Sequence, residues 1–230
     1  MRILWLPLAL FLCVSYATAA PQSQTVNGSS PAHLLEARYG AARTLQVSFL
    51  ERYTQNGKFV RAEAGIAYFL RPGKMRWDYE APEKNTFLVD GTYSWFYSPA
   101  DRTATRVPAK QSEDWRTPLA FLTSHMKLSR LCANIEVRDA SASLQPDDVV
   151  FRCELRDSQE GTTKGVLFEV SPLGELRHIV VQQEGAIELE FSFTGWKWNP
   201  PLDKSLFQFT PPRGVAIVNG LLPEASGVRQ

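Results

Sequence analysis

From Leu45 onward, apolar and polar residues alternate along much of the chain with a period of two, the pattern of half-buried β-strands. Pairs such as Asn56-Gly57 and Asp90-Gly91, which favour tight turns, separate the alternating runs. The pattern therefore predicts a series of short antiparallel strands. Their approximate positions are 47–53, 60–70, 74–80, 84–90, 92–98, 102–107, 132–139, 147–156, 163–171, 175–183, 186–197 and 206–210.

Two stretches depart from this alternation and have helical spacing instead. Residues 31–43 form an amphipathic segment, and Pro31 suits the first turn of a helix. Residues 110–131 predict two helical pieces, with Asp114 as a possible cap and Pro118 near a helix start. The apolar face of this region would consist of Leu119, Phe121, Leu122 and Met126.

The number of strands constrains the architecture. Ten or more strands make a sheet so wide that it tends to curl. Curling yields a barrel or an unclosed half-barrel, and the predicted helices are available to fill its mouth. We therefore expect one all-β domain of about 210 residues, large enough to bury a core without covalent staples.

Large apolar side chains concentrate on several of these strands. Residues 75–80 alternate apolar with charged residues, whereas 67–69 and 95–97 are apolar on both faces. One interpretation is a curved sheet whose concave face lines an apolar cavity. The alternative is the packed core of a two-sheet sandwich. Composition does not decide between them.

The first twenty residues have the features of an export signal. Arg2 precedes an apolar run over 3–14, and small residues at 17–20 offer a cleavage site after Ala19 or Ala20. The alternative, an uncleaved membrane anchor, is disfavoured because the run is shorter than the roughly 20 residues that span a bilayer. We expect residues 1–20 to be a signal peptide, 21–31 a disordered lead-in, 32–219 the folded domain and 220–230 a loose tail.

Two cysteines remain after the expected cleavage, Cys132 and Cys153. In an oxidising compartment such a pair favours a disulfide. If 134–138 pairs with 148–152 as a hairpin, with facing residues summing to 285, the two cysteines lie opposite each other within bridging distance. Two buried free thiols are the alternative.

Charge and motifs exclude several function classes. The formal net charge is +1 and the basic residues are scattered, which indicates no nucleic-acid partner. The three histidines lack zinc-ligand spacing, and neither a nucleophile elbow nor a glycine-rich phosphate loop is present. The acidic pair Glu188/Glu190 alternates with apolar residues, as on the solvated face of a strand. We predict that the protein is not an enzyme and uses no cofactor or metal.

Three segments together resemble the outer-membrane lipoprotein carrier family, the LolA-like proteins. Residues 71–79 (RPGKMRWDY) are similar to that family's Arg-Pro motif with a following spaced Trp. Residues 87–91 (FLVDG) and 95–99 (WFYSP) resemble its Asp-Gly turn and Trp-x-Tyr-x-Pro strand, and 207–215 (FQFTPPRGV) its closing Phe-x-Pro-Pro-x-Gly-Val motif. The segments follow family order and span the domain at 32–219.

This resemblance implies a mainly β (α+β) fold, an unclosed antiparallel β-barrel of about eleven strands with a helical lid over a hydrophobic cavity. It implies a monomeric periplasmic chaperone that takes triacylated lipoproteins from an inner-membrane ABC transporter complex to an outer-membrane receptor. Because no small residue directly precedes Cys13, the chain lacks the lipidation motif of the family's membrane-anchored receptor.

The resemblance also assigns site residues. Arg71 corresponds to an arginine that hydrogen-bonds lid carbonyls, here within 117–126, and Met75 to an apolar, often aromatic, residue involved in cargo hand-off. A guanidinium with five donors suits the first role, although an arginine at a strand end could instead reach solvent. Methionine is more adaptable than an aromatic ring, so retention strength could differ. The full predicted set of cavity and lid residues is Arg71, Met75, Trp77, Phe69, Ala67, Leu119 and Leu122.

Two other functions are compatible with the same pattern. One is a periplasmic lipid-binding or envelope-stress sensing module with this fold, which would bind free lipids or a partner protein. The other is a hydrolase acting on periplasmic lipids, although the sequence contains no recognisable set of catalytic residues for it. Lipids that co-purify with the protein would separate the first function from a lipoprotein carrier. Activity lost on replacing a Ser or His, with binding retained, would support the hydrolase.

Overall fold

The structure is a computed structural model. It describes residues 30–111, 119, 122–123, 127–156, 163–220 and 222. The predicted signal peptide (1–20), nearly all of the lead-in (21–31), most of the tail (220–230) and much of the helical region 110–131, including Asp114, Pro118, Phe121 and Met126, lie outside these residues. No helix within the described part is both long and apolar enough to cross a membrane.

The described strands form one sheet of twelve. They are β1 (Thr44–Gln55), β2 (Lys58–Leu70), β3 (Lys74–Ala81), β4 (Thr86–Val89), β5 (Tyr93–Ser98), β6 (Thr103–Pro108), β7 (Cys132–Val137), β8 (Val149–Leu155), β9 (Thr163–Val170), β10 (Leu176–Gln183), β11 (Ile187–Trp198) and β12 (Ala216–Asn219). Their order is β12-β6-β5-β4-β3-β2-β1-β11-β10-β9-β8-β7. Because β7 and β12 are the two ends of this order, the sheet is unclosed. The predicted unclosed architecture is confirmed, and the two-sheet sandwich is wrong.

Neighbouring strands from β1 to β11 pair antiparallel, as predicted. The short β12 instead runs parallel to β6. The predicted strand positions agree with the structure to within a few residues except at the end of the chain. Strand positions are predictable because alternation and turn chemistry depend on residues that are close together in the sequence.

Contacts between distant strands show that the sheet is curved. Strands β3 and β11 are separated by β2 and β1, which in a flat sheet would place them roughly 14 Å apart. Trp77 on β3 nevertheless lies 5.8 Å from Phe191 on β11, measured between ring centroids. The inner face therefore folds round on itself, and its large side chains meet in one interior core.

Helix α1 (Pro31–Gly40) begins where the sequence predicts, because the Ser30 hydroxyl accepts a hydrogen bond from the His33 amide and Pro31 occupies the first turn. It ends before the predicted Arg43. Arg43 is already tied to the sheet, since its carbonyl accepts a bond of 3.0 Å from the Arg71 amide. A second, short helix, α2 (Leu128–Leu131), leads into β7.

The predicted strand 206–210 is wrong. Residues Lys204–Phe207 form a 3₁₀ turn, and the rest of the segment runs without strand pairing over the outer face of β3 to β6. There Phe207 is fully buried in a second apolar cluster with Leu88 and Trp95. The strands predicted to be apolar on both faces are therefore covered on their outer side by the chain's own C-terminal segment.

Cys132 and Cys153 are joined by a disulfide with a Cα–Cα distance of 5.3 Å. The register that led to this prediction is wrong, because Cys153 faces Ile135 and Cys132 faces Leu155. An irregularity between Cys132 and Asn134 shifts the pairing, so the bridge is diagonal across β7 and β8.

Candidate functional site

All the apolar residues predicted for the cavity and lid belong to the same buried cluster inside the curved sheet. They come from β2, β3 and the segment that follows β6, and are Ala67, Phe69, Met75, Trp77, Leu119 and Leu122. Strand alternation explains the first four, since residues two apart on a strand share a face. The structure thus brings together side chains that the sequence could only propose separately.

Trp77 lies at the centre of this interior. Its ring is fully buried and packs edge-on against Phe49 at 4.7 Å and Phe69 at 6.0 Å between centroids. Edge-to-face contacts of this kind add about 0.5–1.5 kcal/mol each beyond the burial of area. The interior is therefore lined by aromatic and aliphatic surface, which favours an apolar guest over a polar one.

Arg71 joins two segments that cover one end of this interior, α1 and the predicted lid. We name Leu119, Leu122 and Thr123 the lid residues. The Nε of Arg71 donates to the Leu122 carbonyl at 3.2 Å, and a terminal nitrogen donates to the Gly40 carbonyl at 2.7 Å. Partial burial lowers the pKa of the Arg71 guanidinium, because desolvation disfavours its charged form.

The segment at 122–123 is also held by the main chain. The Gly73 amide donates to the Thr123 carbonyl at 2.9 Å, next to the Arg71 contact. Leu119 and Leu122 are buried against the core. The contacts of this segment therefore combine burial of a few apolar side chains with hydrogen bonds concentrated at the turn between β2 and β3.

Helix α1 covers the same end of the interior from another side. The hydroxyl of Tyr39 accepts a hydrogen bond of 3.0 Å from the Leu176 amide, and its ring contacts Trp196 at 5.0 Å. Burial raises the pKa of Tyr39 above its ordinary value. The sequence indicated an amphipathic helix here but did not identify Tyr39 as its buried contact.

The turn between β9 and β10 fits closely under α1. Gly174 has a φ of +77°, and a Cβ there would lie 2.8 Å from the Leu34 carbonyl oxygen. Beside it, the Arg38 guanidinium lies 4.3 Å from the centroid of the Trp198 ring and 3.6 Å from a Glu175 carboxylate oxygen. A side chain at position 174 would therefore both strain the turn and push the helix away.

A contact between α1 and the region after the lid was also not predicted. The Glu36 carboxylate accepts a hydrogen bond from the Leu128 amide at the start of α2. Arg71 thus connects α1 to Leu122, and Glu36 connects it to the start of α2. Such contacts join residues far apart in sequence, so no local pattern could have signalled them.

Glu51 is a charged residue inside the sheet that was not predicted from the sequence. Glu51 is only 2% exposed and occupies the inner face of β1 between Phe49 and Tyr53. The Tyr79 hydroxyl donates to its carboxylate at 3.0 Å. Strict alternation along β1 was the available signal, because it places position 51 on the same face as positions 49 and 53.

The described residues contain no group of three or more His, Cys, Asp or Glu side chains placed to hold a metal ion. On the outer face, His178 contacts Glu190 at 2.9 Å and Glu169 at 3.6 Å. The face of β11 that carries Glu188 and Glu190 lies outside the apolar interior. This agrees with the prediction that these residues occupy the solvated face of a strand.

A family model described as the outer membrane lipoprotein carrier protein LolA matches residues 41–210, most of the chain. The chain belongs to this family. The predicted family is thereby confirmed, and the matched range includes β1 to β11 and the segment over the outer face.

Relatives named outer-membrane lipoprotein carrier protein are similar over most of their length. The protein from Proteus mirabilis is 28% identical over 184 residues, covering 80% of this chain and 85% of the relative. That from Methylococcus capsulatus is 29% identical over 227 residues, covering 92% and 94%. Among solved structures, an uncharacterised conserved protein from Thermus thermophilus matches with a TM-score of 0.53 at 10% identity, covering 84% of this chain and all of the other. The last likeness concerns the fold alone.

Proposed function

We propose that this protein is a periplasmic carrier that binds the acyl chains of lipoproteins released from the inner membrane and delivers them to the outer membrane. The observation that carries the proposal is the aromatic interior around Trp77, covered by lid residues that Arg71 holds to α1. Family membership supports the same role, since the relatives are named lipoprotein carriers.

The physical requirement for such a carrier is to hide hydrocarbon from water without binding it irreversibly. Each buried methylene contributes about 0.8 kcal/mol, so an exposed acyl chain costs on the order of 10 kcal/mol. An interior lined by Phe49, Phe69 and Trp77 offers apolar surface that acyl chains could contact when the lid opens. In the closed state these side chains pack on each other. On cargo binding, contacts with the acyl chains would replace those internal contacts.

Arg71 favours the closed lid and so opposes cargo binding. Its two hydrogen bonds to Gly40 and Leu122 involve a charged donor, and bonds of that kind contribute about 1.5–3 kcal/mol each. Opening the lid breaks them, although water replaces part of the loss. Cargo binding must therefore outweigh a closure energy of a few kcal/mol, which keeps affinity low enough for release.

The partners and location follow from the proposed role. The cargo would be triacylated lipoproteins, supplied by an inner-membrane ABC transporter complex and passed to an outer-membrane receptor. The predicted signal peptide at 1–20 would direct the chain to the periplasm, where we expect a monomer without a cofactor. The disulfide between Cys132 and Cys153 suits an oxidising compartment.

The decisive experiment incubates the mature protein with spheroplasts and asks whether lipoproteins leave the membrane in a complex with it. We expect stable carrier–lipoprotein complexes in the soluble fraction. Release of free phospholipid alone, detected by mass spectrometry of the purified protein, would instead support a lipid-binding or stress-sensing module. Absence of any lipoprotein complex would refute the carrier function.

A variant of Arg71 tests the closure mechanism within this function. Arg71→Leu should leave the fold intact but slow transfer of bound lipoprotein to outer membranes, because lid closure no longer competes with the cargo. Arg52→Leu is the matched control, since Arg52 is exposed and lies far along β1 from the lid. Equal release by Arg71→Leu and the wild type would contradict the role of Arg71.

A further inference from the structure

The inner face of the sheet changes character along the strands. On β1 it runs from Leu45, next to the lid end, through Val47 and Phe49 to Glu51 and Tyr53. The first three residues are apolar, whereas the last two carry a carboxylate and a hydroxyl. On this strand the apolar face thus ends, remote from Arg71, in polar groups, whereas Phe191 and Leu189 continue the apolar face opposite Glu51 and Tyr53 on β11.

Strands β2 and β3 extend this polar boundary on one side of β1. Glu63 faces Glu51 and Arg61 faces Tyr53 across the β1–β2 pair, and Tyr79 comes from β3. We name these five residues the polar floor: Glu51, Tyr53, Arg61, Glu63 and Tyr79. Strand alternation places all five side chains on the inner face. The apolar residues nearer the lid lie on the same face.

The polar floor is arranged so that its charges are compensated. Two carboxylates directly opposite each other on adjacent strands repel. Here the Tyr79 hydroxyl donates to Glu51 at 3.0 Å, while Arg61 forms an ion pair with Glu63 at 3.0 Å. A charged group inside a sheet costs desolvation even when it is compensated, and such departures from an apolar core concentrate at functional sites.

We propose that the polar floor, and Glu51 above all, sets the longest acyl chain that the interior accepts. This inference rests on the proposed carrier function and adds a residue that determines cargo specificity. From Leu45 to Glu51 the strand advances six residues, roughly 20 Å at about 3.3 Å per residue. An acyl chain fills half of a hydrocarbon core about 30 Å thick, so its length of about 15 Å approaches the floor.

The floor limits chain length because hydrocarbon and carboxylate are incompatible neighbours. A methylene pressed against Glu51 would displace the Tyr79 hydroxyl from the buried carboxylate, and an uncompensated buried charge is strongly unfavourable. Methylenes above the floor enter apolar surroundings, and each should strengthen binding about fourfold. Beyond the limiting length that gain should vanish, which produces a break in the dependence of affinity on chain length.

The test measures dissociation constants of the mature protein for laurate, myristate, palmitate, stearate and arachidate, by displacement of a fluorescent fatty acid. We expect the wild type to gain affinity with length up to a break and then to level off. In Glu51→Leu the break should move by at least two methylenes, so that affinity for the first chain beyond the wild-type limit rises about tenfold or more. Glu188→Leu is the control, because Glu188 is exposed on the other face of β11, opposite Thr54.

Glu51→Gln provides a second variant of nearly unchanged shape, in case leucine disturbs the fold. It removes the charge and retains a hydrogen-bond acceptor for Tyr79, so its break should move in the same direction by a smaller amount. An identical break in both Glu51 variants and the wild type, or a wild type with no break up to arachidate, would overturn this inference alone. Failure of every variant and the wild type to bind any acyl chain would overturn the carrier function itself.

Discussion

Reduction of the disulfide between Cys132 and Cys153 should measurably destabilise the protein. The bridge closes a loop over a sequence separation of 21 residues, between the start of β7 and the centre of β8. In the chain-entropy relation a loop of this length corresponds to about 3 kcal/mol at room temperature, because the cross-link restricts the unfolded chain. Both cysteines are buried, so opening the bond adds no gain in solvation to the folded state.

Equilibrium unfolding in urea, followed by tryptophan fluorescence with and without a thiol reductant, measures this difference. With a denaturant slope of about 2 kcal/mol/M, the midpoint should fall by about 1.5 M on reduction. The double variant Cys132→Ala/Cys153→Ala is the control, since its midpoint should not respond to reductant. An unchanged wild-type midpoint, together with two reactive thiols in the unfolded and reduced protein, would refute the reasoning.

Three further substitutions test the packing around the site. Gly174→Ala should lower the free energy of unfolding by about 1–3 kcal/mol, because the left-handed φ disfavours a side chain and the new Cβ meets the Leu34 carbonyl. A calorimetric melting temperature equal to that of the wild type would contradict this. Tyr39→Phe should lower the free energy of unfolding by about 1–3 kcal/mol, because the buried Leu176 amide loses its acceptor. Hydrogen exchange at Leu176 should accelerate, and unaltered exchange would show that another group accepts the bond. Trp77→Ala should cost about 3–5 kcal/mol in urea unfolding because it empties the centre of the interior, and a loss below about 1 kcal/mol would mean that the ring is not part of the packed core.

Much of the candidate site was predictable because it depends on alternation. Once β2 and β3 are recognised, positions 67, 69, 75 and 77 must share a face, and the structure indeed buries all four in one cluster. The same rule applied to β1 would have placed Glu51 beside Phe49 inside the sheet. That residue was overlooked because charged side chains are ordinarily assigned to the solvated face.

The cover over the site was predictable only in part. A helix at 31–43 and apolar residues at 119 and 122 were visible in the sequence. Their junctions were not, since Arg71 meets Gly40 and Leu122 through hydrogen bonds across 31 and 51 residues. Such contacts depend on how elements pack after folding, and no local window contains both partners.

The sequence by itself determined the strands and their turns. Asp90, for example, accepts bonds from the Thr92 and Tyr93 amides within its own turn, so the hairpin follows from neighbouring residues. Tertiary structure alone decided the diagonal bridge between β7 and β8, the parallel addition of β12 to β6, and the course of the Phe207 segment over the outer face. The physical reason is that turn geometry and alternation act between residues close in sequence, whereas register, strand order and coverage depend on the total apolar area that distant segments bury together.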